Sequence, residues 1–170
     1  FITVFFIFCT KAKSQFQTQP ACNYSDVFLN EDGECLTGNW SLVFEDNFDG
    51  IQLDDNKWFK QFGYGDICHE DQLQAYQNEN VSVNNGVLSL TLKENPGNYY
   101  PCNGSTEFRN YTSGMIYSKS SYLFGIFEAR IKVPKQYGMY PSFWLWGWGG
   151  EIDVFEFYDE EDNPEFSTHD

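Results

Sequence analysis

Basic residues are scarce in this chain. Ten Lys and Arg stand against 25 Asp and Glu, a formal net charge of −15 over 170 residues. A surface so acidic repels phosphate backbones and anionic lipid heads, which speaks against nucleic acid and membranes as partners; its plainest role is to keep the protein in solution. No apolar run reaches the roughly 20 residues that a spanning helix needs. The five cysteines include no C-x-x-C pair, which disfavours a zinc site. Internal repeats, low-complexity tracts and convincing helical periods are all missing. What is abundant is aromatic: 19% of the chain is Phe, Tyr or Trp. With spaced Asn and Gly, that favours a β-rich fold or a surface for stacking rings. The length suits one domain with a sizeable core, and a monomer is expected.

Residues 1–9 read FITVFFIFC, followed by Ala12-Lys13-Ser14, a small-x-small pattern before Gln15. Residues 1–14 therefore read as the tail of a secretory signal peptide, with a secreted, extracellular or periplasmic protein expected; a strand is the alternative. Export would leave Cys22, Cys35, Cys68 and Cys102 in an oxidising compartment. Two disulfides follow, with three connectivities open, of which Cys22–Cys35 and Cys68–Cys102 close modest loops. Five N-x-S/T sequons begin at Asn23, Asn39, Asn80, Asn103 and Asn110, relevant to a eukaryotic source.

Residues 15–38 are a polar, irregular extension holding two cysteines. From 39 to 170 the character changes to short runs of period-2 alternation between turn residues, the pattern of an all-β, antiparallel sandwich or barrel. In VSVNNGVLSLTL (81–92), Asn85-Gly86 tolerate the positive φ angles of a two-residue hairpin turn. That register pairs Asn84 with Val87, Val83 with Leu88 and Val81 with Leu90, and puts the apolar side chains on one face. Further strands are expected over 114–119, 124–133, 142–148 and 151–158. In the second, Phe127, Ala129, Ile131 and Val133 alternate with Glu128, Arg130 and Lys132, giving one wet face. Another strand begins at 166–169, just after DEEDNPE. A sandwich ending there would leave open edges, so the sequence reads as part of a larger domain.

The chemistry concentrates in GEIDVFEFY, residues 150–158. On a regular strand positions i and i+2 share a face, so Glu151 and Asp153 point together. Glu156, at i+5, has the wrong parity. Either it points into the core, which is costly for a carboxylate, or one extra residue near Val154-Phe155 bulges out and restores the parity. With the bulge, three carboxylates line one surface and cannot all be charged cheaply. A protonated acid then stands beside an ionised carboxylate, the pair that glycoside hydrolysis uses. An acidic solvated edge strand or a hard-cation site is the alternative. On the preceding segment Tyr140, Ser142, Trp144, Trp146 and Trp148 share one face. If Phe143 and Leu145 fill the core, the indoles lie beside the carboxylates as platforms for sugar rings.

These blocks together resemble glycoside hydrolase family 16. The blocks, in order, are FEDNFDG with LDDNKW, ENVSVNNGVLSLTL, YTSGMIYSK, FGIFEARIKVP, GMYPSFWLW and GEIDVFE, spanning about 40–170. The resemblance implies a concanavalin A-like jelly roll, here incomplete at its C-terminus, and retaining hydrolysis of internal β-glycosidic bonds of a polysaccharide. Carried onto this chain, Glu151 would be the nucleophile, Glu156 the general acid/base, and Asp153 the residue that tunes the nucleophile. The E-x-D-x-x-E spacing is similar to the laminarinase and agarase branches, so a β-1,3-glucan is the expected substrate. A β-galactan hydrolase or a non-catalytic β-glucan recognition module are the alternatives; the acidic balance weighs against sulfated substrates. Substrate contacts are expected from Trp144, Trp148, Tyr140, Arg130 and His169. No cofactor is required for catalysis, and a structural calcium common in the family has no ligand set legible here. Two departures stand out. Tyr140 replaces the Trp usual before Pro, and the stretch between Trp144 and Glu151 is shorter than in many laminarinases.

Overall fold

The computed structural model describes residues 2–6, 27–29, 35–37, 42–63, 65–67, 71–101, 104–122, 127–134, 136–147, 150–157 and 165–169. The described residues form strands β1 (Ile2–Phe6), β2 (Val27–Leu29), β3 (Cys35–Thr37), β4 (Trp58–Phe59), β5 (Gln74–Tyr76), β6 (Val81–Asn84), β7 (Val87–Leu90), β8 (Lys93–Tyr99), β9 (Glu107–Ser113), β10 (Tyr117–Ser118), β11 (Met139–Gly147), β12 (Gly150–Glu156) and β13 (Glu165–His169). One 3-10 turn, Asn78–Asn80, is the only helical piece among them. The all-β class is as expected. Pairing is mostly antiparallel, but β5 runs parallel to β9 and β1 parallel to β11.

The hairpin β6–β7 has the register that its turn chemistry dictates: Val81↔Leu90, Val83↔Leu88, Asn84↔Val87. Asn85 and Gly86 sit at φ of 50° and 75°, the mirror-image turn whose twist matches that of the strands. Val81, Val83, Leu88 and Leu90 then face the main core with Phe48, Leu53, Trp58, Ile116 and Phe143. Asp46 anchors this core from its edge. Trp58 Nε1 donates to its Oδ2 at 2.8 Å, and the Phe48 amide to its Oδ1 at 2.9 Å. A buried carboxylate with two such donors is satisfied rather than stranded.

Three expectations change. The strand expected over 124–133 is not one among its described residues: 127–134 carry no strand assignment. Phe127, Ala129 and Ile131 nonetheless pack on the core; alternation sets the face of a segment, whereas a partner edge makes it a strand. The strand expected over 114–119 narrows to Tyr117–Ser118, paired with β4. The sequon at Asn80 is no glycan site in the folded chain. Asn80 is 1% exposed, and its Nδ2 donates to the carbonyls of Thr91 at 2.7 Å and Thr112 at 3.1 Å. Gly114 makes that close packing possible, since a Cβ there would meet Asn80 O at 2.6 Å.

Part of the expected leader is drawn into the sheet, where Ile2–Phe6 pairs in register with Met139–Phe143. Cys35 lies in β3, while Cys22, Cys68 and Cys102 lie outside the described residues, as do the sequons at Asn23, Asn39 and Asn103.

Candidate active site

The site is built on the sheet ordered β1-β11-β12-β13. On β11 the side chains alternate without interruption. Met139, Pro141 and Phe143 are buried, while Tyr140, Ser142, Trp144 and Trp146 take the other face. Strand β12 answers with the register Trp146↔Glu151, Leu145↔Ile152, Trp144↔Asp153, Phe143↔Phe155 and Ser142↔Glu156. Val154 has no partner in that ladder, so it is the extra residue of a β-bulge. The pairing of β12 with β13 shifts over the same stretch, between Asp153 and Glu156. Directly paired residues share a face of the sheet. Glu151, Asp153 and Glu156 therefore all stand on the face of Tyr140, Ser142, Trp144 and Trp146. Val154 and Phe155 pack on the core behind them.

The three carboxylates have different surroundings. Asp153 is 3% exposed, and Ser167 on β13 donates its hydroxyl to Asp153 Oδ2 at 2.5 Å. Glu156 is half-buried and accepts a hydrogen bond from the Tyr140 hydroxyl on Oε1. Glu151 is half-buried, and its register partners are Trp146 on β11 and His169 on β13. The arrangement offers two half-buried carboxyls flanking a buried one, the raw material for a nucleophile, an acid/base and a group that orders them.

The aromatic row is less uniform than its parity suggested. Trp144 is half-buried and packs on Tyr76 and Met115, with Phe62 and Tyr117 against the same cluster. Burial also raises the Tyr117 phenol above its ordinary range, so it stays protonated. Trp146, register partner of Glu151, is 74% exposed, and it is the described indole with a free face. Trp148 lies outside the described residues. Arg130 is exposed on the side of its segment away from core-facing Ala129 and Ile131. Ser167 was missed by the sequence reading, although its place two residues before His169 puts it on that residue's face. The signal for it needs the β12–β13 register, which a single sequence does not carry. Among the described residues, no three His, Cys, Asp or Glu side chains converge as a metal would require. The acidic group near residue 46 is engaged instead with protein donors, Trp58 and Lys57 included.

The strand, its bulge and the indole beside it coincide with a family match. The chain belongs to glycosyl hydrolases family 16, whose model matches residues 69–168. The mainly antiparallel all-β architecture is accordingly that of a jelly-roll sandwich. The chain is 30% identical to the Endo-1,3-1,4-beta-glycanase EglC of Rhizobium meliloti (strain 1021), over 84% of this chain and 37% of that protein. It is 28% identical to the Glucan endo-1,3-beta-glucosidase A1 of Niallia circulans, over 77% of this chain and 22% of that protein. Similarity extends to the Beta-porphyranase B of Zobellia galactanivorans, 30% identical over 62% of this chain and 34% of that protein. The chain spans less than half the length of these curated relatives. No solved structure matches it significantly.

Proposed function

We propose that this chain carries the catalytic strand of a secreted, endo-acting glycoside hydrolase that cleaves internal β-1,3 bonds of a laminarin-type glucan with retention. The observation that carries the reading is the bulge at Val154, which brings Glu151, Asp153 and Glu156 to one face beside an exposed indole. Glu151 attacks the anomeric carbon as nucleophile. Glu156 protonates the departing glycosidic oxygen and then deprotonates the incoming water. Asp153, buried between them and held by Ser167, orders the pair. Trp146 offers an apolar face to a sugar ring next to the nucleophile. The relatives named as 1,3- and 1,3-1,4-glucan enzymes support the glucan assignment. The relative named as a porphyranase favours a β-galactan as the second reading. The apolar run at the start of residues 1–14, with its cleavage pattern, supports export.

The deciding experiment measures reducing ends released from laminarin, mixed-linkage glucan, agarose and carrageenan by wild type and by Glu151→Gln. Laminarin is expected to give the highest rate, with the variant inactive on all four. Release from agarose or carrageenan alone transfers the assignment to galactans. A Glu151→Gln variant as active as wild type removes Glu151 from the mechanism. Binding to laminarin without release from any polymer favours a recognition module.

A further inference from the structure

Tyr140 stands two residues before Ser142 on β11 and shares its face. Ser142 is the register partner of Glu156, so Tyr140 is the diagonal neighbour of Glu156 across the strand pair, a separation that an aromatic side chain can bridge. The Tyr140 hydroxyl donates to Glu156 Oε1. Both side chains are half-buried, which partly shields the bond from water and strengthens it. The backbone secures the same corner, because the Phe157 amide donates to the Pro141 carbonyl at 3.1 Å. The two residues that follow the donor and the acceptor are thus tied to one another.

We infer that Tyr140 is a positioning residue for Glu156: its hydroxyl occupies Oε1 and so reserves Oε2 as the oxygen that gives and takes the catalytic proton. This rests on the glycosidase reading above. A phenol has one proton to donate. While that proton is held by Oε1, a protonated Glu156 carries its own on Oε2. In the first step the Oε2–H bond breaks and the proton passes to the glycosidic oxygen. The bond from that oxygen to the anomeric carbon breaks as a Glu151 carboxylate oxygen bonds to the same carbon. In the second step a water oxygen bonds to the anomeric carbon and its proton passes to Oε2, while the Glu151 ester bond breaks. Both carboxyls return to their starting states, and the Tyr140 hydrogen bond persists throughout. The last torsion of a glutamate is broad and roughly two-fold. Without the tyrosine hydroxyl the two oxygens exchange roles and the proton is misplaced for part of the time, a loss of orientation at the reacting centre.

The test is Tyr140→Phe in the full chain. It removes one oxygen and leaves a ring that fills the same space, and an unchanged near-ultraviolet circular dichroism spectrum certifies the fold. Two substrates are compared: laminarin, whose leaving group needs protonation, and a dinitrophenyl β-glucoside of laminaribiose, whose leaving group does not. On laminarin kcat is expected to fall about 10- to 100-fold, part of the range ascribed to general acid catalysis, with KM within about twofold of wild type. On the dinitrophenyl substrate kcat/KM, which reports formation of the glycosyl-enzyme, is expected to stay within about twofold. An equal fall on both substrates, or no fall on laminarin, overturns the inference. Glu156→Gln on the same pair keeps the two levels apart. Wild-type hydrolysis of laminarin by Glu156→Gln would remove the acid/base assignment itself. Its loss there, with Tyr140→Phe unaffected, would remove only the role of Tyr140.

Discussion

Deleting Val154 tests whether the bulge exists for parity. In the folded chain Asp153 faces Trp144 and Phe155 faces Phe143, with Val154 between them and outside the ladder. On the other side Asp153 faces Ser167 and Glu156 faces Glu165, three residues on β12 against two on β13. Removing one residue therefore closes both ladders at their present registers. Glu156 stays opposite Ser142 and on the face of Glu151. The backbone distance between the two glutamates is set by the β11 partners Trp146 and Ser142, four residues and roughly 14 Å apart, and it is preserved. The deletion gives up the core contacts of partly buried Val154, about 1–2 kcal/mol. A regularised ladder returns about 0.5–1.5 kcal/mol through an added hydrogen bond. The net loss of about 0.5 kcal/mol lowers Tm by roughly 1–2 °C. Calorimetry and laminarin hydrolysis are the assays. The deletion variant is expected to melt cooperatively and to keep activity within about tenfold of wild type, far above Glu156→Gln. A folded variant as inactive as Glu156→Gln would show that the bulge shapes the distance or tilt of the pair rather than its facing. Loss of cooperative melting would refute the register argument itself.

Five further outcomes are expected. Gly114→Ala should destabilise by about 1–3 kcal/mol, read as a lower denaturant midpoint, because its Cβ would press on backbone at Asn80 O. Trp146→Ala should raise KM for laminarin several-fold with a smaller change in kcat, whereas Trp144→Ala should lower Tm, since it opens the contact with Tyr76 and Met115. In protein secreted from a eukaryotic host, peptide mass mapping should find Asn80 unmodified, as its amide is buried and engaged twice. The Asn56 backbone amide holds the Asp54 carboxyl below its ordinary range. A depressed folded value adds stability that is present above the ordinary aspartate range and is lost as pH falls through the depressed value. A carboxyl NMR titration of Asp54 should show its midpoint below that of a free aspartate.

Legibility followed the range over which each residue's fate is decided. The Asn85-Gly86 hairpin could be read to its last register pair, because the turn itself dictates it. The defect at Glu156 was readable too, since parity along one strand is a local count and a carboxylate pointing into the core contradicts it. Partners supplied by distant segments were not readable. Phe127, Ala129 and Ile131 alternate like a strand yet pack on the core without forming a strand among the described residues. Trp144 and Trp146 have the same parity, but Tyr76 and Met115 arrive over one and leave the other open. Asn80 carries a sequon whose amide is claimed by Thr91 and Thr112 from elsewhere in the chain. Ser167 and Tyr140 reach their carboxylates across strands, so only the register reveals them.

The strict alternation along β11 separates two kinds of heritable change. Met139, Pro141 and Phe143 are buried behind the sheet, while Tyr140, Ser142, Trp144 and Trp146 front the carboxylates. Drift at odd positions is felt as stability, as is drift at Trp144 through its contact with Tyr76 and Met115. On the proposed glycosidase reading, drift at Tyr140 and Trp146 is felt in how substrate and proton are handled. Neighbouring codons thus answer to different selection. On the proposed reading, a lineage can retune its substrate at Tyr140 and Trp146 while Met139, Pro141 and Phe143 behind them stay the same.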